Sequence, residues 1–437
     1  MADVRPFRGL RYNQELVGDP GTVTCPPYDV ITPEMQHALY HKSRYNVVRL
    51  EYGLAEPGDS FWNNRYSRAA ETFKEWLERG VLHADASPAM YLHHHYFSYQ
   101  GEVRTRRGLM AAVRLEDWDK GVVRPHEGTA AVFKADRLNL VRACQANISP
   151  TLTLYQDADG NVASVIKATE RREPLFRVVA DDESHTLWSI TDRQLLDRVT
   201  SALGPQPLYV ADGHHRYETA LAYRKERLDA LPLAGSNAAF NFVMMTLVEF
   251  SDSGLVVLPY HRLVRDVSEA RVQELRARLG TCFEVDAAPM SCPLSAAMLH
   301  RILKPLKGER VVIGLLGLER ESLLILRLHD FARVEGALPH DRSQAYRTLD
   351  VSVLHHVILS ELLGLDEGEN IAYSRSELEA WQRVSAGEYR LGFLLNPVDA
   401  YAVKAVADAA DKMPQKSTYF YPKLPTGLVL NQLDGEV

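Results

Sequence analysis

The sequence has no apolar run approaching the roughly 18 to 20 residues that cross a bilayer. Its start, Met1-Ala2-Asp3-Val4-Arg5, lacks the apolar core of a signal peptide, so a cytoplasmic protein without a membrane partner is expected. Cysteine is scarce: Cys25, Cys144, Cys282 and Cys292 show neither the paired short spacings of a zinc site nor the density of a disulfide framework, and they read as free thiols. Packing rather than reactivity is the expected role of Cys25. Basic charge is not in excess, since 50 Lys and Arg against 57 Asp and Glu give a formal net charge of −7. The electrostatic footprint of a nucleic-acid binder is therefore missing, and small-molecule chemistry is favoured. There is no internal repeat, low-complexity segment or long linker.

What is present is ordinary globular material: 437 residues, 46% hydrophobic and 24% charged, enough for two or three domains with their own cores. A helical period runs from Asp59, read as an N-cap, through Trp62, Tyr66, Phe73, Trp76 and Leu77 to a C-cap at Gly80. Met90 to Tyr99 and Arg107 to Leu115 read as an antiparallel strand pair. On the first of these, His93 and His95 point to one face, where convergence on a metal is the sharper reading and a plain strand the ordinary one. The stretch after Thr129, from Ala130 through Ala143, reads as a helix and Phe242 to Phe250 as a strong strand. Beyond Asp266 come a helix near Glu269 to Leu279, a hairpin across Gly317, a helix from Val351 to Leu363, a strand from Tyr389 to Leu395 and a helix from Val398 to Lys412.

The densest chemistry lies between these blocks. Pro207 to Ala211 reads as a short buried strand, Asp212-Gly213 as a turn, and His214 to Arg227 as a helix with Tyr217, Ala220 and Leu221 on one face. Such a junction aims backbone N–H groups and the positive end of a helix dipole at one point, where phosphate binds well. Gly213 would let the backbone approach an anion, Arg216 would fork onto two phosphate oxygens, and His214 and His215 would add donors. Asp212 suits either holding Mg²⁺ or accepting a proton from an attacking hydroxyl. The plain alternative is a capping Asp, a turn-forming Gly and solvated histidines, but five such groups together exceed what capping requires.

Other polar clusters are more ambiguous. Pro26-Pro27-Tyr28-Asp29 is a rigid extended turn that fixes the direction of Tyr28 and Asp29. Glu127, after His126, is either an ordinary first-turn acid or the general base for a substrate hydroxyl, with His126 orienting it or touching phosphate. Lys134 and Arg137 either supply positive charge to a transferred phosphoryl group or form a solvated face with Asp136. Lys416, Ser417 and Thr418 make a polar, phosphate-compatible loop.

Asp212-Gly213-His214-His215-Arg216-Tyr217-Glu218 resembles the phosphate-binding turn of the ParB/sulfiredoxin superfamily, whose nucleotide-dependent free-serine kinases read Asp-Gly-His-His-Arg at this place. Sulfiredoxins carry Gly-Cys-His-Arg there. His214 stands where their reactive cysteine would be, which argues against sulfiredoxin chemistry. Over nearly its whole length the chain also resembles the domain-of-unknown-function 1015 family. The residues that carry this are Arg5 to Tyr12, Cys25 to Ile31, His126 to Thr129 with Lys134 and Asp136-Arg137, the Asp212 turn, and Met413 to Gly427. The resemblance places Tyr28 and Asp29 beside the site, closing over substrate or holding a metal through Asp29, and it implies serine biosynthesis and a pyrophosphate-dependent serine kinase activity.

These readings predict a mixed α/β (α+β) protein. Residues 1–265 would hold a ParB/sulfiredoxin-like core with a large insertion, and residues 266–437 an additional C-terminal α/β domain covering the site. The expected function is a Mg²⁺-dependent phosphotransferase moving a phosphoryl group from pyrophosphate, ATP or ADP to the hydroxyl of a small metabolite, with free L-serine the implied acceptor. Catalysis is assigned to Glu127, Asp212 and His126; phosphate binding to Gly213, His214, His215, Arg216, Lys134 and Arg137; substrate binding to Tyr28, Asp29, Lys416, Ser417 and Thr418; and metal binding to Asp212 and Asp29. The rivals are a metal-dependent phosphohydrolase and a ParB-like nucleotide-binding switch, for which a helix-turn-helix and a basic excess are missing. A homo-oligomer is left open.

Overall fold

The computed structural model describes residues 1–180, 182–290, 295–304, 311–319, 322–365 and 370–437. It is a mixed α/β protein of two compact units: Met1–Leu255 with Pro422–Val437, and Val256–Tyr421. The division based on sequence placed all of 266–437 in the second domain. The last segment instead returns to the first unit because the strand Leu430–Gln432 inserts between Gly9–Tyr12 and Ala146–Asn147 and pairs with both. Leu82–Ala84 completes this four-stranded sheet.

The first unit is built on a nine-stranded mixed sheet. Its order is Val123–Arg124, Leu208–Asp212, Thr151–Tyr155, Phe242–Glu249, Glu102–Arg114, Met90–Tyr99, Glu183–Ile190 and Phe176–Ala180, with Val4–Arg5 also on Glu102–Arg114. The Met90–Tyr99 and Glu102–Arg114 strands form the expected antiparallel pair. Gln100 and Gly101, at φ 52° and 80°, close it in the left-handed conformation that a two-residue hairpin turn requires. Leu208–Asp212 runs parallel to Val123–Arg124 and antiparallel to Thr151–Tyr155, and its register shifts between Val210 and Asp212. A bulge of this kind re-aims the side chain that follows it.

One core of the unit packs Leu109, Ala111 and Val113 of the sheet against Val199, Leu203, Tyr217 and Ala220 of two helices. Each fully buried aliphatic side chain there is worth about 1.5–3 kcal/mol. The helix expected from Asp59 is Arg65–Glu78. Asn64 caps it through a reciprocal capping box with Ser67, while Asp59 is drawn to Arg68 at 2.7 Å, so the cap lies five residues later than the apolar period suggested.

The second unit carries a six-stranded antiparallel sheet ordered Glu284–Pro289, Ser322–Leu328, Val311–Leu316, Leu391–Leu394, His261–Val264 and Ile371–Ser374. The hairpin across Gly317 and the helices Glu269–Cys282 and Ala400–Asp408 fall where they were expected. The helix read from Val351 to Leu363 is a short α-helix, Asp350–Val353, continued as a π-helix, Leu354–Leu362. Cys25, Cys144 and Cys282 are free thiols, and Cys292 lies outside the described residues. Among the described residues no helix is long and apolar enough to cross a membrane.

Candidate functional site

The strand Leu208–Asp212 hands the chain through Gly213, at φ 92°, into the 17-residue helix His214–Ala230. Arg216 folds back from the first turn of that helix. Its Nη2 donates to Asp212 Oδ2 at 2.8 Å and its Nη1 to the Pro150 carbonyl. A Cβ on Gly213 would stand 2.8 Å from Arg216 Nε, so the space above the glycine is filled by the guanidinium rather than left for an anion, as the sequence had suggested. Arg216 Nε is itself buried without a hydrogen-bond partner.

Lys423, from the chain's final segment, donates to the other oxygen of Asp212 and lies 4.0 Å from Asp29. Burial alone would push the Asp212 carboxyl up, but Lys423 and Arg216 outweigh it and hold the group well below the usual carboxylate range. Both oxygens of Asp212 are thus engaged by cations. That does not fit Asp212 as a direct Mg²⁺ ligand, and a carboxylate held so far down is a poor proton acceptor.

A second layer stands beside this turn. The Tyr28 N–H donates to Glu51 Oε1 at 3.2 Å, and the Arg137 guanidinium lies 4.0 Å from the centre of the Tyr28 ring. Burial, partly opposed by Arg216, pushes the Tyr28 hydroxyl up to about 12. Arg137 is buried, donating to the Glu51 carbonyl at 2.8 Å and to Asp136 at 2.7 Å. Asp136 in turn accepts from Tyr66 at 2.7 Å and from Arg65. Arg137 therefore ties Tyr28, Glu51 and Asp136 together instead of facing solvent. Between it and Arg216 is a cavity of about 30 Å³, also bordered by Glu51, Ser149 and Thr219, of a size for about one water.

The histidines are fixed by backbone donors. His214 Nε2 accepts from the His126 N–H at 3.3 Å, and His215 Nε2 accepts from the Ala130 N–H at 2.9 Å. In the neutral rings the proton then sits on Nδ1, so these Nε2 atoms do not donate to a phosphate. They pin the loop that carries Glu127 to the helix. His126 donates from Nδ1 to the Val210 carbonyl at 2.8 Å, and burial lowers it to about 4. Lys134 pairs with Glu218 at 2.9 Å, which also accepts from Thr129 at 2.6 Å. Lys134 thus braces two helices, Ala131–Cys144 and His214–Ala230.

Lys416, Ser417 and Thr418 belong to the second unit. There Lys416 takes the left-handed conformation, its ammonium 5.5 Å from the Tyr260 ring centre, and Ser417 donates to the Pro414 carbonyl. His93 and His95 do converge, on His185 of the neighbouring strand, with ring centres 5.2 and 4.4 Å from it. Two site residues escaped the sequence reading. Lys423 lies inside the segment Met413 to Gly427 between Pro422 and Leu424, and Glu51 follows Val47-Val48-Arg49-Leu50; neither carries a local signal.

Residues 4–352 match the family model described as a protein of unknown function, DUF1015. The chain belongs to this family. No curated relative matches this DUF1015 protein. Among solved structures it is similar to a conserved hypothetical protein from Pyrococcus furiosus, at 12% identity and a TM-score of 0.33, over 75% of this chain and 95% of that one. It is likewise similar to a free serine kinase in complex with AMP, at 12% identity and a TM-score of 0.33, over 75% and 91% of the two chains. A C-terminally truncated SbnI from Staphylococcus aureus gives 10% identity and a TM-score of 0.35, over 75% and 87%.

Proposed function

We propose that this DUF1015 protein is a small-molecule phosphotransferase in which the Arg216 and Lys423 cations beside the Asp212 turn bind the transferable phosphate of a donor, with free L-serine as the acceptor. The observation that carries the reading is the Arg216 guanidinium: it is buried at the N-terminal end of a long helix, beside the Lys423 ammonium on Asp212, with its Nε donor unsatisfied. Buried cations at the positive end of a helix dipole suit an anion with several acceptor oxygens. The Asp-Gly-His-His-Arg run shared with free-serine kinases supports a ParB/sulfiredoxin-like core around this junction and the choice of serine. Pyrophosphate, ATP and ADP are the candidate donors.

Phosphoryl transfer asks mainly for positioning and charge neutralisation. In this reading Arg216 and Lys423 neutralise the phosphate, and Tyr28 and Asp29 lie at the acceptor side. Glu127 takes the proton from the attacking hydroxyl, since Asp212 is held ionised between two cations. His126, locked to the Val210 carbonyl, positions Glu127 through the chain.

The test is mass-spectrometric detection of phosphoserine after incubation with L-serine and each donor in turn, with and without Mg²⁺. Product that disappears in Arg216→Ala supports the kinase. Donor breakdown that needs no serine moves the assignment to a phosphohydrolase, and inert donors in every mixture overturn it.

A further inference from the structure

Arg106 is one of the largest fully buried side chains in the protein, at 1% exposure. Burying a guanidinium is expensive, and what it holds shows what it is for. Nη2 donates to His95 Nδ1 at 3.0 Å, and Nη1 donates to the Pro422 carbonyl at 2.7 Å. A guanidinium only donates, so His95 Nδ1 is bare and the ring proton sits on Nε2. That proton goes to Glu183 Oε2 at 2.5 Å. Glu183, His95 and Arg106 therefore form a directed chain from a partly exposed carboxylate into the interior, ending on the carbonyl of the residue before Lys423. Proline has a fixed φ, so holding the Pro422 carbonyl sets where Lys423 begins.

The side chains of His95, Glu183 and His185 also bring ligand atoms within 4.8 Å of one another, as a metal site would. Arg106 argues against that use. A metal on His95 Nε2 would have to displace the ring's one proton while a guanidinium stays on Nδ1, leaving an anionic ring and a cation beside a cation.

We propose that Arg106, oriented by His95 and Glu183, is a positioning residue that holds Lys423 against Asp212. The role in phosphate binding rests on the reading of the Asp212 turn as a phosphate site; the mechanical link from Arg106 to Lys423 does not. Two readouts separate them: pyrophosphate binding by calorimetry, and amide hydrogen exchange of the peptide spanning 422–428, for wild type, Arg106→Gln, Lys423→Met and the double variant. Arg106→Gln is expected to raise exchange in 422–428 roughly tenfold, leaving the strand Leu208–Asp212 protected, and to weaken pyrophosphate binding roughly tenfold. Lys423→Met should weaken binding at least as much, with the double variant no worse than Lys423→Met alone.

Unchanged exchange in 422–428, or losses that multiply in the double variant, overturns the proposal. If wild type binds no pyrophosphate the phosphate reading fails, and exchange alone then decides the link. Should Arg106→Gln not fold, Glu183→Ala removes the acceptor of the His95 Nε2–H at the partly exposed end of the chain and is read the same way, with a smaller rise expected.

Discussion

At the scale of single residues the site is a set of charges that hold one another in place. Arg216 contacts Asp212, the Pro150 carbonyl and the space above Gly213 at once. Arg216→Ala is expected to weaken pyrophosphate binding by roughly 10- to 100-fold, the range of a lost charged hydrogen bond, as measured by calorimetry. Glu127→Gln should divide the functions differently: turnover falls by about 10²–10⁴ while donor affinity holds, and a variant with normal turnover removes Glu127 from the base role. For Asp212 the folded pKa lies below the unfolded value, so its ion pairs contribute fully above the ordinary carboxylate range and are lost as pH falls towards the lower folded value. The site should therefore keep its affinity for pyrophosphate in mild acid, down to about pH 5. A binding curve that collapses on acidification above that pH in wild type but not in Asp212→Asn would show the Asp212 carboxyl raised by burial instead of held down by its two cations.

At the scale of elements, the strand–turn–helix at Asp212 is exposed to one backbone change in particular. Gly213→Ala places a Cβ at φ 92° and 2.8 Å from Arg216 Nε, so about 1–2 kcal/mol of strain is joined by displacement of the guanidinium. Denaturant unfolding and phosphate binding should both suffer; a variant with wild-type affinity would mean that Arg216 moves without consequence. This junction was legible in the sequence because every signal is local: a buried strand, a glycine, a helical period. Arg65–Glu78 was legible too, but Asp59 and Asn64 are both capping residues, and only tertiary contact with Arg68 shows which one caps. Lys423 and Glu51 were not legible, because each reaches the site through distant strand pairing and packing. The hydrogen bonds that fix His214 and His215 were not legible for a related reason. Their partners, the His126 and Ala130 N–H groups, lie more than 80 residues away in sequence.

At the scale of the whole molecule, buried neutral histidines set the response to acid. Burial lowers His94, His126 and His185 to about 4 in the folded chain, against about 6.5 unfolded. Their neutral packing therefore contributes fully above the unfolded value and is lost as pH falls from about 6.5 towards 4, by at most about 3 kcal/mol for each ring. The melting temperature should decline over that window, and His126→Gln should soften the decline; a flat profile from pH 7 to 4.5 would count against it.

The last segment matters at the same scale. Deleting residues 429–437 removes the strand Leu430–Gln432 and leaves Gly9–Tyr12 and Ala146–Asn147 without their shared partner. The shortened protein is expected to lose several kcal/mol and to expose sheet edges, visible as aggregation in light scattering.

The placement of Lys423 also has a meaning in time. Synthesis runs from the first residue onward, so the ribosome must complete all of Val256–Tyr421 before the ammonium that neutralises Asp212 exists. Until then the nascent first unit carries Asp212 with one cation instead of two, and a four-stranded sheet with one of its two inner strands missing. The protein cannot acquire its complete charge set early in translation, and a chain stalled within the second unit would be released without the lysine that the site needs.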